Sequence, residues 1–240
     1  MDGPIADATT TLQALLGGDL VEVTLLSLAV SGAATAISLV IGLPLGTWLA
    51  LTRFRSRGLA LSVVNTGMAL PPVVVGLFVA FTLWRSGPLG DLDLIYTPTA
   101  MVIAEVIIAA PIVIGLTVAA LGSLDPRLRL QLLGLGASRL QMVWWLWKEA
   151  RLPLLAALMA AFGSVISEVG AAMMVGGNIR HQTRVLTTSI VLETGKGEFA
   201  AAIGLGIVLL ALAFLVNAIL TRPAARAGAV TRPARAGRRR

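Results

Sequence analysis

Residues 124–151 read LDPRLRLQLLGLGASRLQMVWWLWKEAR, a basic and amphipathic stretch between two long apolar segments. Gly134 and Gly136 fall near its centre, where glycine interrupts a helical pattern. Apolar residues recur at helical spacing on both sides of the glycines. The stretch, called the insert below, therefore predicts two short helices. Its basic residues are Arg127, Arg129, Arg139, Lys148 and Arg151.

Capping residues mark the start of both predicted helices. Asp125 precedes Pro126, the order of an N-cap acid and a proline at the first helical position. Ser138 and Gln141 have the S-x-x-Q spacing of a capping box. Three tryptophans in the second helix are typical of a membrane–water interface. An amphipathic helix that rests on lipid is one interpretation of the insert, and a helix pair that binds a cytoplasmic partner is the other.

The composition of the 240 residues is that of a membrane protein. Hydrophobic residues make up 57% and charged residues 13%, whereas a soluble domain has about 25% charged residues. There is no cysteine, which excludes disulfides and cysteine-ligated metals, and a single histidine, His181, argues against a histidine-built metal or catalytic site. Residues 1–18 contain acids but no Lys or Arg, unlike the start of a secretory signal.

Five apolar segments are long enough to cross a hydrocarbon core of about 30 Å as helices. Backbone groups inside a bilayer must bond within their own segment, so we predict an all-α, polytopic membrane protein with five transmembrane helices. Two of the predicted spans contain prolines, namely Pro71, Pro72 and Pro111. Proline kinks or breaks a helix, and these kinks are either static or bends around a pathway. The predicted spans are residues 23–51, 59–84, 99–121, 152–175 and 199–220.

The basic residues set the orientation. Of the 19 Lys and Arg residues, 15 lie in the loop after span one, the insert and the tail after span five. Lys and Arg favour the cytoplasmic side, so residues 1–22 are predicted outside the cell and the C-terminus inside. The tail, residues 221–240, is expected to be disordered and to lie on anionic lipid. Nucleic-acid binding by this tail is the weaker interpretation, because membrane topology explains its charge.

The insert resembles the coupling loop of ABC importer permeases, which has Glu-Ala-Ala, then glycine, then Leu-Pro. Gly136 occupies the glycine position, and Leu152-Pro153 closes the pattern. Residues 130–132, Leu-Gln-Leu, stand in place of Glu-Ala-Ala, and the glycine-to-proline distance is about one helical turn longer. This resemblance implies that an ATPase binds the insert. The implied coupling residues are Leu132, Gly134, Gly136, Ala137, Ser138 and Arg139.

The second half is similar to oxyanion permeases of the tungstate type, with molybdate and sulfate types as relatives. The similarity extends over residues 20–220 and is most specific from Glu168 to Phe199. It implies a homodimer in the cell (inner) membrane of a bacterium or archaeon. It also implies cytoplasmic ATPase subunits, which use ATP and Mg²⁺, and an extracytoplasmic oxyanion-binding protein.

Two sets of residues in this half are site hypotheses. Glu168, like Glu105, lies inside a span and has three interpretations: lining a pathway, a structural hydrogen bond, or proton coupling. A plain carboxylate would repel an anion, which favours the structural role. The hypothetical pathway or gate residues are Glu168, Met173, Met174, Asn178, Thr187, Thr188 and Ser189. The second set, Arg180, His181 and Arg184, would dock the binding protein or attract the anion, with pairing to lipid phosphates as the alternative.

The chain has no ATP-binding loop of its own. The nearest string, Gly195-Lys196-Gly197, is too short for a P-loop. We therefore expect a transport subunit without a catalytic site, metal or cofactor. The rival predictions are a sulfate or other small-anion permease, a secondary transporter or channel, and a membrane scaffold whose insert binds a cytoplasmic partner. No inverted repeat supports the secondary transporter.

Overall fold

The computed structural model describes residues 18–229, with side chains for residues 19–222. This part of the chain forms helices and connecting turns, and no strand occurs in it. The predicted outer segment thus lies mostly beyond the described residues. The helices are α1 (Gly18–Leu51), α2 (Arg57–Met68), α3 (Pro72–Leu83), α4 (Pro98–Gly122), α5 (Pro126–Gly134), α6 (Arg139–Glu149), α7 (Arg151–Ile166), α8 (Gly170–Gly176), α9 (Leu186–Lys196) and α10 (Phe199–Ala229).

Three helices are long and apolar enough to cross a membrane, and five spans result if each sharply bent helix pair counts as one. These three are α1, α4 and α10. The predicted second span is instead two helices, α2 and α3, that meet at 97°. Pro71 and Pro72 cause the break, because proline lacks an amide hydrogen and its predecessor avoids helical geometry.

The predicted fourth span, residues 152–175, is also divided. Helix α7 ends at Ile166 and α8 begins at Gly170, so Ser167, Glu168 and Val169 form a break inside the span. At its other end α7 follows α6 after a 74° bend. The apolar pattern predicted the span but not this interruption.

Close packing of α1 on α4 forms the largest helix contact. A Cβ built on Gly42 would lie 2.7 Å from the Val113 Cβ, and one on Gly46 would lie 2.7 Å from the Thr117 Cβ. The contacts advance in the same direction along both helices, from Gly42 to Gly46 on α1 and from Val113 to Thr117 on α4, so α1 and α4 are parallel. Helices α2 and α3 must therefore carry the chain back between them. Small residues four apart in an apolar span, here Gly42 and Gly46, predict close helix packing, and the structure confirms it.

Helices α3 and α8, the second halves of the two divided spans, lie side by side. Val73 contacts Gly170, and Gly76 lies against the backbone of Ala171. These contacts also progress in the same direction, so α3 and α8 are parallel. Glycine at both crossing points lets the backbones approach.

The insert forms the two predicted helices, α5 and α6. The Arg127 amide donates to the Asp125 carboxylate at 2.8 Å, which confirms the predicted helix start. Ser138 and Gln141 make both bonds of the capping box, at 2.8 and 3.3 Å. The spacing of Leu128, Leu132 and Leu135 predicts one packed face, but Leu135 is 86% exposed because α5 ends at Gly134.

Helix α10 continues further than the predicted last span. It reaches Ala229, so residues 221–229 of the expected disordered tail have a helical backbone. Residues 230–240 of the tail are outside the described part of the chain.

We predict that Gly46→Ala destabilises the protein by about 1–3 kcal/mol, because overpacking forces helices apart. The new Cβ would lie 2.8 Å from the Ile114 carbonyl oxygen, a backbone atom. The matched control is Gly32→Ala, where no atom lies within 4 Å. Thermal unfolding in detergent checks this, and equal melting temperatures for both variants would contradict the packing argument.

Candidate functional site

At the end of the fold opposite the insert, the start of α1 meets the loop between α8 and α9. Arg180 forms an ion pair with Asp19. Nδ1 of His181 lies 2.8 Å from Oε2 of Glu22. Two members of the predicted docking or funnel set therefore have acidic partners that the sequence did not reveal, since these partners are about 160 positions away. The cluster is exposed to solvent.

Arg184, the third member, is placed differently. Its Nε donates to Oδ1 of Asn178 at 3.2 Å, and no carboxylate among residues 19–222 lies within ion-pair distance of it. It lines a cavity of about 310 Å³ between α1, α9 and α10, together with Ser189 and Lys196. The geometry thus leaves Arg184 as the half-buried positive charge of this region.

Glu168 occupies the break between α7 and α8. Its Oε1 accepts a hydrogen bond from the Ala171 amide at 3.0 Å. Its backbone carbonyl accepts one from the Thr187 hydroxyl at 2.8 Å. Glu105 of α4 lies beside Glu168 and Ser31, is 4% exposed, and has one carboxyl oxygen without a partner in the described chain. This arrangement gives Glu168 a helix-capping position at an interrupted span.

The predicted hydroxyl donors at the start of α9 are buried. Thr187 donates to Glu168, and Ser189 donates to the Val185 carbonyl at 2.9 Å. The Thr188 oxygen accepts from the Val185 amide at 3.0 Å. Each hydroxyl is thus engaged within the fold, and anion binding by these residues stays a prediction.

The remaining predicted pathway residues flank this region. Met173 and Met174 of α8 are 37% and 40% exposed. Asn178 has a left-handed backbone, with φ of 52°, and its side-chain amide faces the Thr188 carbonyl at 3.5 Å. Arg184 also donates to the Asn178 carbonyl at 3.4 Å, so Asn178 links the loop to α9.

Sequence reasoning missed Ser27. The Leu186 amide, at the first position of α9, donates to the Ser27 hydroxyl oxygen of α1 at 2.9 Å. A side chain on another helix therefore caps α9. A serine within an apolar span gave no signal of this role.

The proposed coupling residues shape the turn between α5 and α6. Gly136 has φ of +83°, which a residue with a Cβ rarely adopts. The Ala137 amide donates to the Leu132 carbonyl at 3.1 Å. Leu132 is half-buried, whereas Gly134, Ser138 and Arg139 are exposed.

The outer surface of the insert is apolar. Leu130 is 70%, Leu135 86% and Leu140 84% exposed. Leu133, at 41%, extends the same region. These four leucines of the insert are called the leucine surface below. Leu133 and Leu140 line one recess with Arg129 and Arg139, and Arg127 is exposed. Exposed apolar groups with a basic rim are typical of a docking site, and helical spacing alone did not identify them.

Comparison with protein families assigns most of the chain to one family. Residues 42–227 match the family described as "Binding-protein-dependent transport system inner membrane component". A "Tungstate uptake system permease protein TupB" of Peptoclostridium acidaminophilum is 42% identical over 81% of this chain and 86% of its own length. A "Probable anion ABC transporter permease protein" of Haloferax volcanii is 41% identical, over 85% and 90%.

A more distant relative and a solved structure agree with this assignment. The "Molybdenum transport system permease protein ModB" of Azotobacter vinelandii is 30% identical over 80% of this chain and 88% of its own. A structure described as "Inward facing conformations of the MetNI methionine ABC transporter" superposes with a TM-score of 0.70 at 22% identity, over 89% of this chain and 96% of the other. This likeness shows the fold.

We predict that Glu168→Gln preserves the stability of the protein, because the amide oxygen still accepts the Ala171 hydrogen bond. Glu168→Leu should lose about 1 kcal/mol, the usual cost of removing a cap. Thermal unfolding of the two variants beside the unaltered chain checks this. If Gln destabilised as much as Leu, the carboxylate charge and not the hydrogen bond would be the important feature.

Proposed function

The chain belongs to the family of binding-protein-dependent transport system inner membrane components, and we propose that it is the permease subunit of an ABC importer for tungstate or molybdate. The observation that carries the transport mechanism is the leucine surface on a structured insert. The relatives named for tungstate and molybdate support the choice of substrate. Sulfate, the cargo named for a 28% identical relative in Synechocystis, is the alternative anion.

The leucine surface would bind a cytoplasmic ATPase. This chain lacks a P-loop, so ATP and Mg²⁺ would act in that partner. Burial of exposed leucines provides binding energy, and Arg127 and Arg129 at the rim would orient an acidic partner. Helix α7 follows α6 directly through Ala150, so motion of the insert would pass into the bundle.

The opposite end of the fold would receive the anion. Arg180, Arg184 and Lys196 line its cavity together with Asp19 and Glu193. Arg180 pairs with Asp19 and Lys196 with Glu193, so the charge of Arg184 is the one that favours a negative solute. The exposed contacts of Arg180 with Asp19 and of His181 with Glu22 form a polar rim, which supports docking of an extracytoplasmic binding protein there.

Two copies of the chain would form the transport path, in alternating access driven by the ATPase. The membrane would be the inner membrane of a bacterial or archaeal cell, with the N-terminus outside and the C-terminus in the cytoplasm. The distribution of Lys and Arg supports this orientation, and the apolar helices supply the lipid-facing surface.

The proposed function predicts ATP-dependent uptake of tungstate into proteoliposomes that contain this chain with its ATPase and binding protein. Mass spectrometry of the washed vesicles measures the tungsten that enters. Excess molybdate should compete more strongly than sulfate. Uptake without ATP or without the ATPase would contradict an ABC importer, and uptake of sulfate alone would contradict the proposed substrate.

Leu130→Asp should prevent stable binding of the ATPase, because a buried unpaired charge costs more than the lost apolar contact contributes. Leu130 is 70% exposed, so the variant should fold. Leu92→Asp is the matched control, since Leu92 is 56% exposed outside the insert. Co-purification of the ATPase is the measurement, and equal recovery with both variants would exclude the leucine surface as the docking site.

A further inference from the structure

Helix α2 presents two different faces. None of its twelve residues is buried, although Val64 and Gly67 lie against Gly115 and Pro111 of α4. The face turned away from α4 carries Ser62, Asn65 and Thr66, all exposed, beside the exposed Leu59. Positions 62, 65 and 66 follow the i, i+3, i+4 spacing of a helical stripe. We call these three residues the polar stripe.

The polar stripe lies deep in the membrane region. Its neighbour Gly67 lies against Pro111, which is at the middle of the membrane-spanning helix α4, Pro98–Gly122. Asn65 and Thr66 precede Gly67 immediately, within one turn of that level. The stripe is therefore at the depth of hydrocarbon and not of lipid headgroups.

The polar side chains of the stripe have no partners among the described residues. Elsewhere in the membrane-spanning helices, hydroxyls such as those of Thr35, Thr47 and Thr82 donate to the carbonyl four residues earlier. Ser62 and Thr66 make no such bond, and the Asn65 amide makes none. A polar group without a partner costs free energy in hydrocarbon, so this face would be unfavourable against lipid tails.

We propose that the polar stripe lines the water-filled path of the transported oxyanion, opposite the same stripe of a second copy. This inference rests on the proposed function and adds the residues that the anion contacts. Asn65 offers two N–H donors, and each hydroxyl offers one. Four tetrahedral oxygens accept such bonds, and the exposed stripe contains no carboxylate to repel them. Neutral donors bind weakly enough to release the anion, as conduction requires.

The absence of cysteine permits a direct test. Single cysteines replace Ser62, Asn65 and Thr66 in the complete complex, reconstituted in proteoliposomes with ATPase. Val63→Cys is the matched control, since Val63 is 64% exposed and adjacent to the stripe but on its apolar flank. A permanently charged, water-soluble thiol reagent is added, and modification is counted by mass spectrometry. Labelling after denaturation in detergent verifies that every thiol can react.

The expected result is labelling of the three stripe positions about tenfold or more faster than Val63→Cys, because a charged reagent enters hydrocarbon poorly. Added tungstate or molybdate should slow labelling at the stripe and leave Val63→Cys unchanged. Stripe labelling as slow as the control would overturn the proposal. So would rapid disulfide formation between copies without reagent access, which indicates a dry contact.

Uptake by the unaltered chain keeps this test separate from the proposed function. If tungstate uptake is ATP-dependent while the stripe is unlabelled, only the path assignment fails. If the stripe is labelled but neither tungstate nor molybdate slows the labelling, the assignment of the stripe to the oxyanion path fails as well.

Discussion

The contact between α3 and α8 is the interaction on which the centre of the fold depends. Helix α3 has 12 residues and α8 has seven, lengths of about 18 and 10 Å, so neither can cross a core of about 30 Å alone. Each is the second half of an interrupted span. Gly76 and Gly170 let them pack directly, so each covers apolar surface that the other would leave open. The ends exposed by the interruptions still need hydrogen-bond partners.

Side chains from near and distant parts of the chain supply several of those partners. Glu168 caps the start of α8, and Ser27 of α1 caps α9. Thr187 binds the carbonyl inside the break itself. These bonds join α9 to the break before α8 and to α1, which packs on α4. A unit with a rigid α1–α4 pair and interrupted neighbours suits the alternating access proposed above, because the interruptions concentrate bending at defined points.

The insert connects to this unit without a linker. Ala150 ends α6 and precedes the first residue of α7, and it is 1% exposed. Met142 and Leu146 of α6 pack against Leu121 at the end of α4. A partner that moves the insert would therefore act on α4 and α7 together, and α7 leads to the break at Glu168.

Local sequence signals predicted the features that depend on neighbouring residues. The capping residues of α5 and α6 and the glycine contacts of α1 followed from spacing, and the structure contains all of them. The exposed Leu135 and the bond from Leu186 to Ser27 did not, and the prolines at 71 and 72 predicted a bend without its 97° angle. Those depend on which helices meet in space, which hydropathy does not encode. Arg180 was predicted near the outer surface, but its acidic partner, Asp19, could be identified only from the fold.

The central claim, that an ATPase moves the insert of a two-copy permease, is tested most directly by distance measurement. A spin label on Gln131→Cys, an exposed position of α5, would be the sole label of each chain. Double electron–electron resonance on the complex should give one distance between the two copies without nucleotide. It should give a shorter distance when ATP is bound but not hydrolysed. No dipolar signal, or a distance unaffected by ATP, would contradict the account.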